Sequence, residues 1–208
     1  MLVRPCRPIT ARTVPKGDDW LHEIKLDGCR FQIVKGRHRV RLYGRSGHEW
    51  TARLPGFTEA FRRLPFHSAV LDGELVLPDT DFNGLEVAVR AATEWELVYF
   101  AFDLLPGDGR DLRRTPLVER KRRLAHLIGR AKISCLHSVQ AFDDGAKLLA
   151  AAEKHGLDGI VSKRRMSPYR SGECRDWCKV KTAAWREANR ERWRMFECNR
   201  AYGAGGSR

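Results

Sequence analysis

Seven short strand-like runs, at residues 20–26, 30–35, 39–43, 69–77, 96–104, 158–163 and 177–181, constrain this chain more than any other feature. Their apolar and β-branched content suits strands rather than helices. Two of them are joined closely by the turn Lys35-Gly36-Arg37-His38, which calls for antiparallel pairing. Helical spacing is confined to three stretches: Phe57, Ala60, Phe61 and Leu64; residues 118–128, studded with Lys and Arg; and a segment that Asp143 can cap and that runs to Gly156. The expected class is therefore α+β, with mostly antiparallel sheets flanked by helices. Pro106-Gly107-Asp108-Gly109 reads as a surface loop from its turn chemistry.

At 208 residues the chain suits one sizeable core. Residues 1–18 carry Pro5, Pro8, Pro15 and Gly17 and read as an extended lead-in, with the fold beginning near Trp20. Residues 19–181 form the expected domain. Residues 182–208 read as a basic helix holding Trp185 and Trp193, followed by a Gly- and Ser-rich tail. Lys and Arg number 39 against 26 Asp and Glu, a formal charge of +13 that calls for a polyanionic partner, with nucleic acid first. No run is long and apolar enough to span a membrane, and the first ten residues lack a signal peptide's apolar stretch, so the expected location is the cytoplasm. Six scattered cysteines fit a reducing compartment; Cys174 and Cys178 lack the second ligand pair that zinc would need.

Alternation through residues 20–26 puts Trp20, His22, Ile24 and Leu26 on one face and Leu21, Glu23 and Lys25 on the other. Lys25 then opens Lys25-Leu26-Asp27-Gly28, with Arg30 two residues on and Gly28 where something must approach closely. An ordinary lysine, with a pKa near 10.4, is protonated at neutral pH. Burial and nearby cations favour the free amine, which can attack a carbonyl or a phosphorus atom. Other polar residues interrupt apolar runs and need a reason to be there. Arg45 sits in a Gly-flanked turn, Glu74 lies within Val70 to Leu77, Asp103 closes an aromatic run, and Lys179 and Lys181 flank Val180 on one strand face.

In chain order these segments resemble the motifs of covalent nucleotidyltransferases, most closely the adenylation domain of ATP-dependent DNA ligases of the bacterial end-joining type. The similarity is carried by Glu23-Ile24-Lys25-Leu26-Asp27-Gly28-Cys29-Arg30, Tyr43-Gly44-Arg45-Ser46-Gly47, Leu71-Asp72-Gly73-Glu74, Phe102-Asp103, Gly156-Leu157-Asp158-Gly159-Ile160-Val161-Ser162-Lys163 and Trp177-Cys178-Lys179-Val180-Lys181. The resemblance implies a nucleotidyltransferase (ATP-grasp-like) fold. It also implies that Lys25 attacks the α-phosphate of ATP to form a lysyl-adenylate. Glu23 would read the adenine amino group, Phe102 would stack on the base, and Arg30 and Glu74 would hold the ribose region. Lys179 and Lys181 would neutralise the α-phosphate, Arg45 would meet the 5′-phosphate of a nick, and Asp158 with Glu74 would hold Mg²⁺ or Mn²⁺. Implied partners are nicked or broken duplex DNA, a Ku-type end-binding protein and a separate chain bearing an oligonucleotide-binding barrel.

Two residues depart from the family pattern. Asp158 stands where glutamate is usual, shorter by roughly 1.5 Å of reach, and Glu173 stands where a basic residue is common. Residues 182–208 are too few for the barrel that usually follows. An RNA ligase, a capping-type nucleotidyltransferase and a non-catalytic nick-binding module remain as alternatives.

Overall fold

The computed structural model describes residues 2–78 and 96–191. Ten strands and four α-helices follow in order: β1 (Cys6–Ala11), β2 (Trp20–Ile24), β3 (Cys29–Lys35), β4 (Val40–Gly44), α1 (Pro55–Ala60), β5 (Ala69–Val76), β6 (Val98–Gly107), β7 (Arg110–Asp111), α2 (Leu117–Ala131), β8 (Leu136–Ser138), α3 (Gly145–Lys154), β9 (Gly159–Arg164), β10 (Gly172–Lys181) and α4 (Ala183–Ala188). They form a four-stranded sheet in the order β1-β10-β9-β2 and a larger one in the order β4-β3-β5-β6-β7, with β8 also on β6. All pairings are antiparallel except β1–β10 and β6–β8.

Three apolar clusters hold these layers together. Phe31, Ile33, Leu42, Leu71 and Tyr99 from the larger sheet pack against Phe57 of α1 and Leu124 and Leu127 of α2. Cys6, Leu21, Val70, Leu105, Tyr169 and Trp177 form a second cluster that joins the two sheets. Leu148 and Ala152 of α3 cover Ile160 and Val180 on the smaller sheet. Trp177 is central to the join, edge-on to Phe102 at 6.0 Å and to Tyr169 at 5.9 Å. Burying one such ring is worth about 1.5–3 kcal/mol.

The structure revises three local expectations. Residues 6–11 form strand β1 rather than lying outside the fold, and Cys6 is wholly buried. Its Pro8 is tolerated because β1 is the edge strand of its sheet, where a missing N–H costs no ladder bond. Pro106 and Gly107 end β6, and Asp108, at φ 44°, turns directly into β7 as a hairpin. The cap of α3 is Asp144, which accepts from Lys147 N at 2.9 Å, while Asp143 pairs with Arg165. Beyond Lys181, a six-residue α4 capped by Thr182 is described; Trp193, Cys198 and the Gly- and Ser-rich tail lie outside the described residues.

Candidate active site

The strands converge on a cleft of about 290 Å³ between the sheets, lined by Glu23, Lys25, Gly28, Arg30, Arg45, Glu74, Phe102, Lys163, Trp177 and Lys179. Lys25 follows the end of β2, where its backbone N–H donates to Gly159 O at 2.9 Å. A Cβ on Gly159 would lie 2.1 Å from Val180 O, so only glycine lets β9 and β10 approach at this point. Gly28 has the same role against the other sheet, since a Cβ there would lie 2.3 Å from Leu75 O. The close approach expected at Gly28 is therefore made by the backbone of β5.

The Lys25 ammonium donates to Asp158 Oδ2 at 2.8 Å, and Lys181 donates to the same oxygen at 2.7 Å. Burial works against the Asp158 charge, but hydrogen bonds from Lys181 and Lys25 outweigh it and hold the carboxyl below its ordinary value. Burial is also the main cause that brings Lys181 down to about 8, opposed by its bond to Asp158. The Lys181 ammonium lies 3.8 Å from the centre of the Trp185 ring, a cation–π contact at the root of α4. Lys179, two residues earlier on β10, lines the cleft directly.

At the other end, Glu23 is buried and meets two lysines. Lys121 of α2 reaches Oε1 at 2.5 Å, and Lys163 of β9 reaches Oε2 at 2.5 Å. Burial would raise the Glu23 carboxyl; the two lysines reverse this and hold it below the usual carboxylate range. Lys163 lies between two aromatic faces, 4.0 Å from the Trp177 centroid and 4.5 Å from that of Phe102. Trp177 keeps a buried Nε1 with no hydrogen-bond partner among the described residues.

Arg30 and Glu74 face each other across β3 and β5. Arg30 is committed elsewhere: it grips Asp72 at 2.9 and 2.7 Å and reaches Cys6 O at 2.5 Å. Tyr169 donates to Asp72 at 2.5 Å and accepts from Cys6 N, so this buried network ties β1, β3, β5 and the β9–β10 connection together. Glu74 is pushed up to about 7, chiefly by burial. Asp103 is not a cleft group, because Arg120 of α2 holds it in a bidentate pair at 2.7 and 2.9 Å, both side chains wholly buried. Arg45 is exposed in the turn after β4 and edges a groove continuous with the cleft, beside Arg4 and Arg7. Glu173 sits in register with Arg7 of β1. His22 points away from the cleft, with Nδ1 2.8 Å from Ser162 Oγ, and burial lowers its pKa.

The cleft thus gathers Lys25, Glu23, Arg30, Glu74, Phe102 and Lys179, with Lys181 and Asp158 joined to it through Lys25. Sequence reasoning missed Lys121 and Lys163. Lys121 lies four residues after Leu117 and three before Leu124, on the stripe of α2 that turns inward, and that spacing could have found it. Among the described residues no three His, Cys, Asp or Glu side chains gather to hold a metal, and no helix is long and apolar enough to cross a membrane.

A family model described as "ATP dependent DNA ligase domain" matches residues 1–181. The multifunctional non-homologous end joining protein LigD of Pseudomonas aeruginosa is 40% identical over 172 residues, covering 80% of this chain and 20% of that protein. DNA ligase B of Mycobacterium tuberculosis is 34% identical over 201 residues, covering 86% of this chain and 39% of its own length. The chain therefore spans between a fifth and two fifths of these relatives. Among solved structures, the ligase domain of M. tuberculosis LigD superposes with a TM-score of 0.74 at 31% identity, over 86% of this chain and 59% of that one. A mycobacterial DNA ligase D complexed with ATP and MES superposes with a TM-score of 0.72 at 31% identity, covering 86% and 60%. These matches bear out the nucleotidyltransferase fold expected from the ordered motifs, and the chain belongs to the ATP-dependent DNA ligase domain family.

Proposed function

We propose that this chain is the adenylate-forming domain of an ATP-dependent DNA ligase serving end-joining repair. The observation that carries the reading is Lys25 at a cleft between two sheets, with Asp158 and Lys181 at one side of it and the aromatic, carboxylate-bearing base end at the other. Lys25, as the free amine, forms a bond to the α-phosphorus of ATP while the bond to pyrophosphate breaks. Lys179 and Lys181 supply positive charge where the pentavalent phosphorus gathers negative charge. Phe102 stacks on the base, Glu23 accepts from its amino group, and Arg30 and Glu74 border the ribose. The AMP then passes to a DNA 5′-phosphate steered by exposed Arg45.

By the same reading Asp158 and Glu74 are the carboxylates that would hold Mg²⁺ or Mn²⁺, since an octahedral cation that keeps water and phosphate ligands needs only one or two. When bound, the ion neutralises phosphate charge. By the same reading the substrate is duplex DNA with nicks or breaks, and a Ku-type protein and a barrel-bearing chain are the protein partners to test.

Incubation with α-labelled ATP and Mg²⁺, followed by denaturing electrophoresis, decides the first step. Label should stay on the wild-type chain and vanish in Lys25→Ala; a wild type unlabelled with any divalent cation overturns the proposal. A pre-adenylated nick then tests sealing by itself.

A further inference from the structure

Glu23 carries two lysines, one more than its charge requires. Both of its oxygens are engaged, by Lys121 from α2 and by Lys163 from β9, and the carboxyl is 2% exposed. Lys121 also donates to Val139 O at 3.1 Å, so one helix lysine ties the carboxylate to a backbone carbonyl, and both Glu23 and Val139 line the cleft. We infer that Lys121 is a positioning residue for base recognition: together with Lys163 it keeps Glu23 an acceptor-only carboxylate, which selects a purine bearing a 6-amino group over one bearing a 6-carbonyl. This rests on the adenylation reading above and deepens it.

The logic lies in the hydrogen-bond inventory of a carboxyl group. An ionised carboxylate offers about four acceptor sites and no donor. One is taken by Lys121, Lys163 stands in ion-pair contact with the other oxygen, and the remainder can accept the amino hydrogens of adenine. The carbonyl of guanine would bring a second acceptor against them, leaving both unpaired in a desolvated pocket, which is where strong discrimination arises. A protonated Glu23 would instead carry an O–H able to donate to that carbonyl. The protonation state of one buried side chain therefore sets which base fits.

Lys163 cannot hold that state alone. Burial lowers its own pKa, although Glu23 opposes the change. The charged groups around the carboxyl are Lys121 from α2, Lys163 from β9, Lys25 two residues along and, beyond Lys163, Asp103 from β6, which is already paired to Arg120. Without Lys121, Glu23 keeps its burial and loses half of its direct compensation, so it takes up a proton more readily.

The test compares α-labelled ATP and GTP as substrates of wild type, Lys121→Met and Lys121→Arg between about pH 6 and 9, reading the ratio of the two rates. Groups acting on the phosphates affect both nucleotides alike and cancel in that ratio. Wild type and Lys121→Arg should hold a pH-independent preference for ATP. In Lys121→Met the preference should fall about tenfold or more at the acid end, the worth of one buried hydrogen-bond mismatch, and recover as pH rises. Glu23→Gln, which offers both a donor and acceptors, should lose preference at every pH and serves if Lys121→Met does not fold. A Lys121→Met ratio equal to wild type, or lowered equally at all pH, overturns the inference. Calorimetric binding of ATP and GTP reads the same ratio when no label forms, so failure of the adenylation reading and failure of this one are told apart.

Discussion

Replacing Glu74 with glutamine should make the protein more stable and less active. Glu74 lies on β5 opposite Arg30, but that guanidinium is spent on Asp72 and the Cys6 carbonyl, so burial dominates and raises the carboxyl from its ordinary 4.5 to about 7. Because the folded pKa exceeds the unfolded one, the folded chain keeps a proton between these values that the unfolded chain has released. Stability from this group is complete below pH 4.5 and is lost as pH rises through 7. At 1.36 kcal/mol for each pKa unit, the loss approaches about 3 kcal/mol at pH 8.5. Glutamine keeps the shape and removes the titration. Glu74→Gln should therefore melt close to wild type near pH 4.5 and, at pH 8.5, roughly 6–12 °C higher, while labelling by α-labelled ATP declines. Thermal melts of both proteins across this range decide the matter. A variant no more stable than wild type at pH 8.5, or a gap that does not grow with pH, would refute the reasoning.

Three further outcomes follow from the site and its supports. The single-turnover rate of adenylate formation should fall above pH 8, where Lys181 sheds its proton, and Lys181→Arg should carry that limb beyond the range of the assay, since guanidinium stays charged. Asp158→Asn leaves the Lys25 and Lys181 ammonium groups facing each other without their shared carboxylate. It should lower the melting midpoint by roughly 2–8 °C, read by calorimetry, for about 1–2 kcal/mol in this partly hydrated position. Arg120→Met strands the wholly buried Asp103 carboxylate and should cost about 3–5 kcal/mol in urea unfolding, whereas pairing it with Asp103→Leu should recover most of the loss.

Most of the cleft was legible in the sequence because each of its parts is local. Glu23 and Lys25 share a strand face by simple alternation, as do Lys179 and Lys181, and polar residues inside apolar strands advertise a purpose. Strand β1 was not legible, because Pro5 and Pro8 signal irregular chain and nothing in the sequence says that an edge position awaits them. Lys121 was hidden by its neighbours: in Glu119-Arg120-Lys121-Arg122-Arg123 every residue is charged, and only the phase set by Leu117 and Leu124 separates the inward pair from the solvated ones. Glu119 shows the outward case, held by Arg122 and Arg123 on the exposed side. The commitment of Arg30 to Asp72 could not be read either, since it depends on Tyr169, 139 residues away, closing the network.

The smaller sheet draws its strands from both extremes of the described chain: β1 lies directly against β10, and β2 against β9. Such long-range pairings are slow to form, because the entropy of closing the loop is lost before any contact repays it. During synthesis, a nascent chain emerged only to α3 contains Lys25 but not Asp158, Lys163, Lys179 or Lys181. The order of translation itself thus delays assembly of the proposed nucleophile's surroundings: Lys25 meets Asp158, Lys179 and Lys181 only after β10 has been made and has slid between β1 and β9.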